Sequence, residues 1–322
     1  MSHDTGRNEA PFQVEVDAIR TPADGVVELV LVDPAGGPLR PWEPGAHVDL
    51  HLPNGLVRQY SLTSDPADTS HYRVAVLREP AGRGGSAYVH DELRTGDVLT
   101  CAGPRNNFVF HPAPSYRFVA GGIGITPLLR MIDSADRAGV PWTLAYFGRT
   151  AASMAWADEL TARYPGRLRV RPDDVFGMPD LAGELGDLAD GELVYACGPS
   201  GLLDALAARL GERGRGVLHV ERFAPLAEAS LADREAFTVT LDRSGIDLEV
   251  PAGKSILEVM EERGIPVISS CREGTCGTCE TAVLAGSVDH RDAILSEEEK
   301  AANETMMICC SRGIGAGLVI DA

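Results

Sequence analysis

Three cysteines in C-x4-C-x2-C spacing, Cys271, Cys276 and Cys279, constrain this chain more than any other feature. A fourth cysteine follows well downstream in Met307-Ile308-Cys309-Cys310. A loop of this kind wraps thiolates around a small inorganic core. Gly274 and Gly277 let it turn tightly and direct backbone N–H groups at negatively charged sulfur.

The spacing is that of a [2Fe–2S] ligand run. The alternative is structural zinc, because Cys276-x2-Cys279 is also half of a zinc knuckle. Zinc would normally bring a second close pair, whereas Cys309 and Cys310 are adjacent; His290 could complete such a set, although a lone histidine in an acidic segment is usually solvated. With the strand-like ending Leu318-Val319-Ile320, the Cys271–Cys279 run and Cys309 resemble the plant-type ferredoxin domain, over about the last ninety residues.

The 322 residues exceed one ordinary core and suggest two or three domains. Apolar content of 44% and charged content of 24% are those of a globular protein. A net charge of −18 argues against nucleic acid as a partner. No run approaches the length of a membrane span, and the polar start, Met1 to Ala10, lacks a signal peptide's apolar core. Seven cysteines, four of them in a ligand pattern, fit a reducing cytoplasm.

From Phe12 the chain alternates in short strands, with Val14-x-Val16, Val48-x-Leu50-x-Leu52 and Tyr72-x-Val74-x-Val76 among them. Turn residues separate them, which predicts a small antiparallel β-barrel. Arg58 and Tyr60 stand two apart on one predicted strand and so share a face, a pairing suited to a phosphate and a flat ring. An ordinary strand with an exposed arginine explains them as well. Gly82-Arg83-Gly84-Gly85-Ser86 precedes a helix predicted near Ser86 to Leu93; its backbone can approach an anion, with Ser86 as the cap. A plain capped loop is the alternative.

After about residue 111 strands and helices alternate, which predicts an open parallel sheet with helices on both faces. Two glycine clusters, Gly121-Gly122-Ile123-Gly124-Ile125-Thr126 and Cys197-Gly198-Pro199-Ser200-Gly201, follow predicted strands. Ligands bind at that edge of such sheets. The first cluster departs from G-x-G-x-x-G, but it lets a pyrophosphate approach backbone amides, with the Thr126 hydroxyl as an extra donor. Helices are predicted over Met154 to Tyr164 and Leu202 to Arg213. In the last segment Ser255 and Glu258 form a capping box.

Arg-x-Tyr-Ser-Leu from Arg58, the strand Val74 to Leu77 and Gly-Arg-Gly-Gly-Ser from Gly82 resemble the flavin domain of the phthalate dioxygenase reductase and vanillate demethylase reductase family. The two glycine clusters resemble the nicotinamide half of that family. The resemblance implies a β-barrel flavin domain over 11–111, an α/β nucleotide domain over 112–224, a linker over 225–235 and an α+β ferredoxin domain of β-grasp type over 236–322. It implies FMN held by Arg58, Tyr60, Ser61, Val76, Gly84, Gly85 and Ser86. It places the dinucleotide on Gly121, Gly122, Gly124 and Thr126, and the nicotinamide beside Cys197, Gly198 and Pro199. Phe223 is implied to lie over the flavin. Cys271, Cys276, Cys279 and Cys309 are implied to hold the cluster, since Ser311-Arg312 aligns Cys309 as the ligand and Cys310 as an apolar filler.

Hydride donors deliver two electrons, clusters accept one, and a flavin mediates between them. The reading is therefore an electron relay from NADH, with NADPH as the alternative, to a Rieske-type oxygenase or demethylase, or to a cytochrome P450. No separate acid–base dyad is expected. A zinc-binding scaffold is the competing class.

Overall fold

The computed structural model describes residues 10–178, 181–214, 216–224 and 235–322. Most of the expected linker, residues 225–234, and Met1 to Glu9 fall outside these. The chain divides into two compact units, Met1–Glu221 and Arg222–Ala322.

The first unit opens with β1 (Phe12–Ala23), β2 (Val26–Val32), β3 (His47–His51), β4 (Val57–Ser61) and β5 (Tyr72–Leu77), then helix α1 (Gly85–Asp91) and β6 (Val98–Arg105). All pairings are antiparallel, in the order β4-β3-β6-β1-β2-β5. The sheet closes where Leu62, just past β4, bridges Val74 of β5, and Thr63 N–H donates to the Arg73 carbonyl at 2.8 Å. Alternation explains the interior: Val14, Val16, Val48, Leu50, Tyr72, Val74 and Val76 point inward and are buried.

Then follow β7 (Tyr116–Gly121), α2 (Leu128–Arg137), β8 (Trp142–Gly148), α3 (Ala157–Arg163), β9 (Leu168–Pro172), α4 (Asp173–Phe176), α5 (Leu181–Leu185), β10 (Leu193–Cys197), α6 (Ser200–Leu210) and β11 (Leu218–Glu221). The five strands are parallel in the order β11-β10-β7-β8-β9. Apolar clusters cover both faces of this sheet. Barrel and sheet are joined within the unit by Val26, Ala75 and Ala155 with Trp156. Asp24 N–H adds a bond to the Ala152 carbonyl at 2.9 Å, and Arg137 pairs with Asp65 at 2.6 Å.

The second unit holds β12 (Phe237–Leu241), β13 (Ile246–Val250), α7 (Ile256–Glu262), β14 (Glu280–Asp289), α8 (Glu297–Ala302), β15 (Thr305–Met307) and β16 (Arg312–Ile320). Its sheet runs β13-β12-β16-β14-β15, with β12 and β16 parallel and the rest antiparallel. Ser255 and Glu258 bond reciprocally at the start of α7, as the capping-box spacing predicts.

Several local expectations need correction. The helix expected from Met154 begins at Ala157, because Trp156 takes a left-handed φ of 57° after a 3-10 turn at Ala151–Ser153. The helix expected to Arg213 gives way to a 3-10 turn after Leu210. Ser86 is not the cap of α1: Gly84 holds that place at φ 89°, and Ser86 Oγ accepts from Glu79 N–H at 3.0 Å.

On β3, His47 and Asp49 face away from the barrel interior yet are almost wholly buried. Arg105 and Gln59 both donate to Asp49 Oδ1, at 2.6 and 3.2 Å. Burial, with Arg105 adding repulsion, lowers the His47 pKa to about 4. The unfolded chain then binds this proton below pH 6.5, the folded chain only below about pH 4. Stability attributable to His47 is therefore complete above pH 6.5 and is lost as pH falls towards 4, by about 3 kcal/mol. Denaturant titrations of wild type and His47→Gln at pH 7 and 4.5 check this: the variant should lose less stability on acidification.

Candidate functional site

The cysteine loop lies between α7 and β14, and Cys279 immediately precedes the strand. The register of β14 with β15, Glu280 opposite Met307, carries the chain back so that Ile308 N–H donates to the Cys279 carbonyl at 3.4 Å. Cys309 follows directly, and its thiol meets that of Cys279. Cys271 and Cys276 form a second thiol pair. All four side chains are buried, whereas Cys310 is partly exposed.

The loop points donors at its sulfurs. Glu273 and Thr275 N–H groups donate to Cys271 Sγ at 3.3 and 3.4 Å, and Cys271 N–H donates to Cys276 Sγ at 3.5 Å. Such bonds favour thiolate. Three residues in the left-handed region, Arg272, Gly274 and Gly277, bend the backbone to do this. Gly274 also has no room for a side chain: a Cβ would lie 2.5 Å from Cys310 Sγ and 2.9 Å from Asp292 Cα.

Without metal, the neighbouring Cys271 thiol pushes the Cys276 pKa up and the Cys309 thiol pushes that of Cys279 up, burial adding to both. Coordination would replace those protons. Two thiol pairs give each iron of a dinuclear core its own two ligands. Among the described residues no three His, Cys, Asp or Glu side chains converge as a site for one metal ion. The donor set fits a [2Fe–2S] cluster.

In the barrel, β4 and the start of α1 come together through Arg58. A Cβ on Gly85 would sit 2.5 Å from Arg58 Nε, so the arginine lies directly on the glycine backbone. Tyr60 shares that strand, and burial raises its hydroxyl pKa, the charge of Arg58 offsetting this in part. Ser61 and Val76 are buried. His90 of α1 meets the Val76 carbonyl at 3.0 Å, which ties the helix to β5.

In the parallel sheet, the order β11-β10-β7-β8-β9 reverses between β10 and β7. Both glycine clusters leave the carboxyl ends of these two strands, the edge where α/β sheets take ligands. They also pack backbone on backbone. A Cβ on Gly124 would collide with the Cys197 carbonyl oxygen, one on Gly121 would sit 2.6 Å from Pro199 Cδ, and one on Gly198 would sit 2.9 Å from Gly121 Cα. Gly122 has φ 54° and open space around it. Thr126 differs from expectation: it is buried, and its hydroxyl donates to the Ile123 carbonyl at 2.9 Å, closing the turn rather than facing outward. Phe223 lies in the second unit with its ring 47% exposed.

Glu221 escaped the sequence reading. It sits opposite Cys197 in the β10–β11 register, and its Oε2 is shut off from solvent with no hydrogen-bond partner among the described residues. Burial raises its pKa to about 8, and raises that of the fully buried Cys197 thiol with Glu221 adding to it. No periodicity marks an acidic residue at a strand end as buried; only the pairing of β10 with β11 reveals it.

The comparisons with known proteins agree along the whole chain. The family model described as the 2Fe-2S iron-sulfur cluster binding domain matches residues 239–312. The phenoxybenzoate dioxygenase subunit beta of Ectopseudomonas oleovorans is 43% identical over 97% of this chain and 98% of its own length. The phthalate dioxygenase reductase of Burkholderia cepacia is 38% identical over 90% and 91%. Among solved structures, phthalate dioxygenase reductase aligns over 99% of this chain and 100% of its own, with TM-score 0.72 and 35% identity. An intact type IV self-sufficient cytochrome P450 monooxygenase aligns over 97% of this chain with TM-score 0.90 and 40% identity, and the chain spans 41% of that protein. A β-barrel, a parallel nucleotide-type sheet and a cluster-binding β-grasp unit in one chain, matched end to end, make this protein a member of the phthalate dioxygenase reductase family of flavin- and [2Fe–2S]-dependent oxidoreductases.

Proposed function

We propose that the chain is the reductase component of an oxygenase or demethylase system, carrying electrons from NADH by way of flavin and a [2Fe–2S] cluster to a Rieske-type partner. The observation that carries this reading is the set of two buried thiol pairs in the same chain as the flavin-type barrel. When bound, the flavin exchanges a hydride's two electrons for single ones, and the cluster passes these on.

The flavin is read as FMN. Support comes from Arg58 lying against Gly85 at the start of α1, where a guanidinium and the first N–H groups of the helix would meet one phosphate. Tyr60, its pKa raised, keeps its proton and can donate a hydrogen bond to a ring. Gly84 and Ser86 shape the loop, Ser86 by holding Glu79. At the sheet edge, Gly121, Gly124 and Gly198 keep the floor flat by close packing, and Gly122 leaves space above it. Thr126 serves by fixing the turn. A nicotinamide would lie beside Gly198 and Pro199, with the fully buried Cys197 behind them. Phe223 keeps the role the family resemblance implies for it, that of the aromatic residue over the flavin ring.

A second reading, service to a cytochrome P450, has its own support in the self-sufficient P450 structure, which carries a region like this whole chain. Reconstitution with a Rieske oxygenase and with a P450 separates the two. Among the described residues no helix is long and apolar enough to cross a membrane.

The purified protein should reduce cytochrome c with NADH, and acid should release FMN rather than FAD on chromatography. Bound flavin with no turnover on either nicotinamide would refute the reading. For the ligands, Cys309→Ser should lose the red-brown absorption and at least about tenfold of cytochrome c reduction, equivalent to some 1.4 kcal/mol. Cys310→Ser should keep both; visible spectra of the two variants decide between the adjacent cysteines.

Glu221 gives a pH signature. The folded chain holds its proton to about pH 8, whereas the unfolded chain releases it near 4.5. Stability therefore declines as pH rises between these values, since the native state binds the extra proton. Glu221→Gln removes that decline, so its melting temperature relative to wild type should climb from pH 5 to pH 8.5; a constant difference would mean that Glu221 titrates normally.

A further inference from the structure

Asp292 lies in the connection between β14 and α8, and its side chain is fully buried. Its carboxylate accepts three hydrogen bonds. Oδ2 takes the Ile294 and Leu295 N–H groups at 3.2 and 2.8 Å, and Oδ1 takes the Ser311 hydroxyl at 3.4 Å. Ser311, also fully buried, accepts in turn from Arg291 N–H at 3.1 Å. An acceptor-only pattern of this kind is that of an ionised carboxylate.

No arginine or lysine pairs with it among the described residues. Arg291 turns away to Asp289 at 2.7 Å, and the Arg312 guanidinium binds the Lys254, Glu235 and Pro251 carbonyls. The one neighbour within ion-pair reach is His290, with Nδ1 at 3.8 Å from Oδ1, and neither ring nitrogen of His290 has a hydrogen-bond partner.

The position of this charge is unusual. Asp292 Cα and Cβ lie against Gly274, in the middle of the loop between Cys271 and Cys276. The next residue bonds the same glycine, Ala293 N–H donating to the Gly274 carbonyl at 2.9 Å. On the other side Ser311 links Asp292 to the turn between β15 and β16 that carries Cys309. Turn formation alone does not call for a charge here. An asparagine Oδ1 would accept the Ile294 and Leu295 N–H groups equally well, without the cost of burying an ionised group.

We infer that Asp292 is a positioning and potential-setting residue for the cluster: it braces the Cys271–Cys276 loop against the Cys309 segment, and its buried charge lowers the cluster's reduction potential. A negative charge in a low-dielectric interior disfavours the arrival of an electron beside it. It acts against the backbone N–H groups bonded to Cys271 and Cys276, which favour that electron. The balance makes the reduced cluster a stronger donor to an external acceptor. This inference rests on the [2Fe–2S] reading above.

The test uses the full-length protein and Asp292→Asn, which keeps the acceptor oxygen and removes the charge. Iron content is measured, and the cluster and flavin midpoint potentials are followed in one mediated redox titration, the reduced cluster by electron paramagnetic resonance. The expected result is a wild-type iron content, a cluster potential displaced to more positive values and an unmoved flavin potential. An unmoved cluster potential in the iron-loaded variant, or equal displacement of both, overturns the inference. Should Asp292→Asn fail to load, Ser311→Ala carries the test. It keeps the charge but removes one bond that disperses it, so the cluster potential should become more negative, and no change or a positive change overturns the inference. A wild-type protein without iron would instead remove the cluster reading itself.

Discussion

The pairing of β14 with β15 is the contact on which the cluster unit depends. Cysteines far apart in sequence become neighbours because Glu280 is set opposite Met307, and the chain on either side of that pair carries Cys279 and Cys309. A slip of one residue would shift the turn after β15 that carries Cys309 away from Cys279. The loop solves a different problem. Its left-handed residues gather Cys271 and Cys276 from nearby positions and leave backbone donors facing the sulfurs. One pair is thus assembled by long-range register and the other by local backbone shape. Holding protonated thiols so close is unfavourable, and metal relieves both pairs together, so this unit should fold most firmly when loaded.

The sheet edge of the first unit shows a different use of glycine. Glycine clusters after strands suggest backbone approaching a ligand, but Gly121, Gly124 and Gly198 are first required by each other. The turn leaving β7 lies directly on the turn leaving β10, and a methyl group at Gly124 would collide with the Cys197 carbonyl. Only Gly122 combines a left-handed φ with free space. The two readings are compatible, since a smooth floor built from packed turns is what a dinucleotide can lie on. They differ in consequence, because substitutions at Gly124 would act on the fold before they acted on binding.

Much of this architecture was legible in the residues. The alternation of Val14, Val16, Val48 and Leu50 marked barrel strands because period two is intrinsic to a strand with one wet face. The change to alternating strands and helices marked the parallel sheet, and Ser255 with Glu258 marked the start of α7. Side-chain partners were far less legible. Ser86 and Thr126 both stand where a hydroxyl could meet a phosphate, yet each bonds a backbone group of its own loop, Glu79 and Ile123 respectively. The left-handed turn at Trp156 could not be foreseen, because it follows from packing in the Val26, Ala75 and Ala155 cluster rather than from local preference. Glu221 gave no signal at all, and Asp292, which with Asp289 and Glu297 to Glu299 reads from the sequence as a solvated acidic face or a patch for a basic partner, is instead fully buried: sequence gives an acidic residue no sign that tertiary structure will bury it.

Those two buried acids show how one chain can set opposite electrostatic conditions for its two kinds of chemistry. At the end of β11, burial raises the Glu221 pKa to about 8 and raises that of Cys197 as well, which favours the neutral form of both. In the cluster unit, two backbone N–H groups and the Ser311 hydroxyl all donate to the completely buried Asp292 carboxyl. The difference is the supply of donors: Glu221 Oε2 has none, Asp292 has three. Burial alone pushes a carboxyl towards neutrality, and donors reverse it. The backbone around each acid therefore decides whether it acts as a neutral wall or as a fixed negative charge.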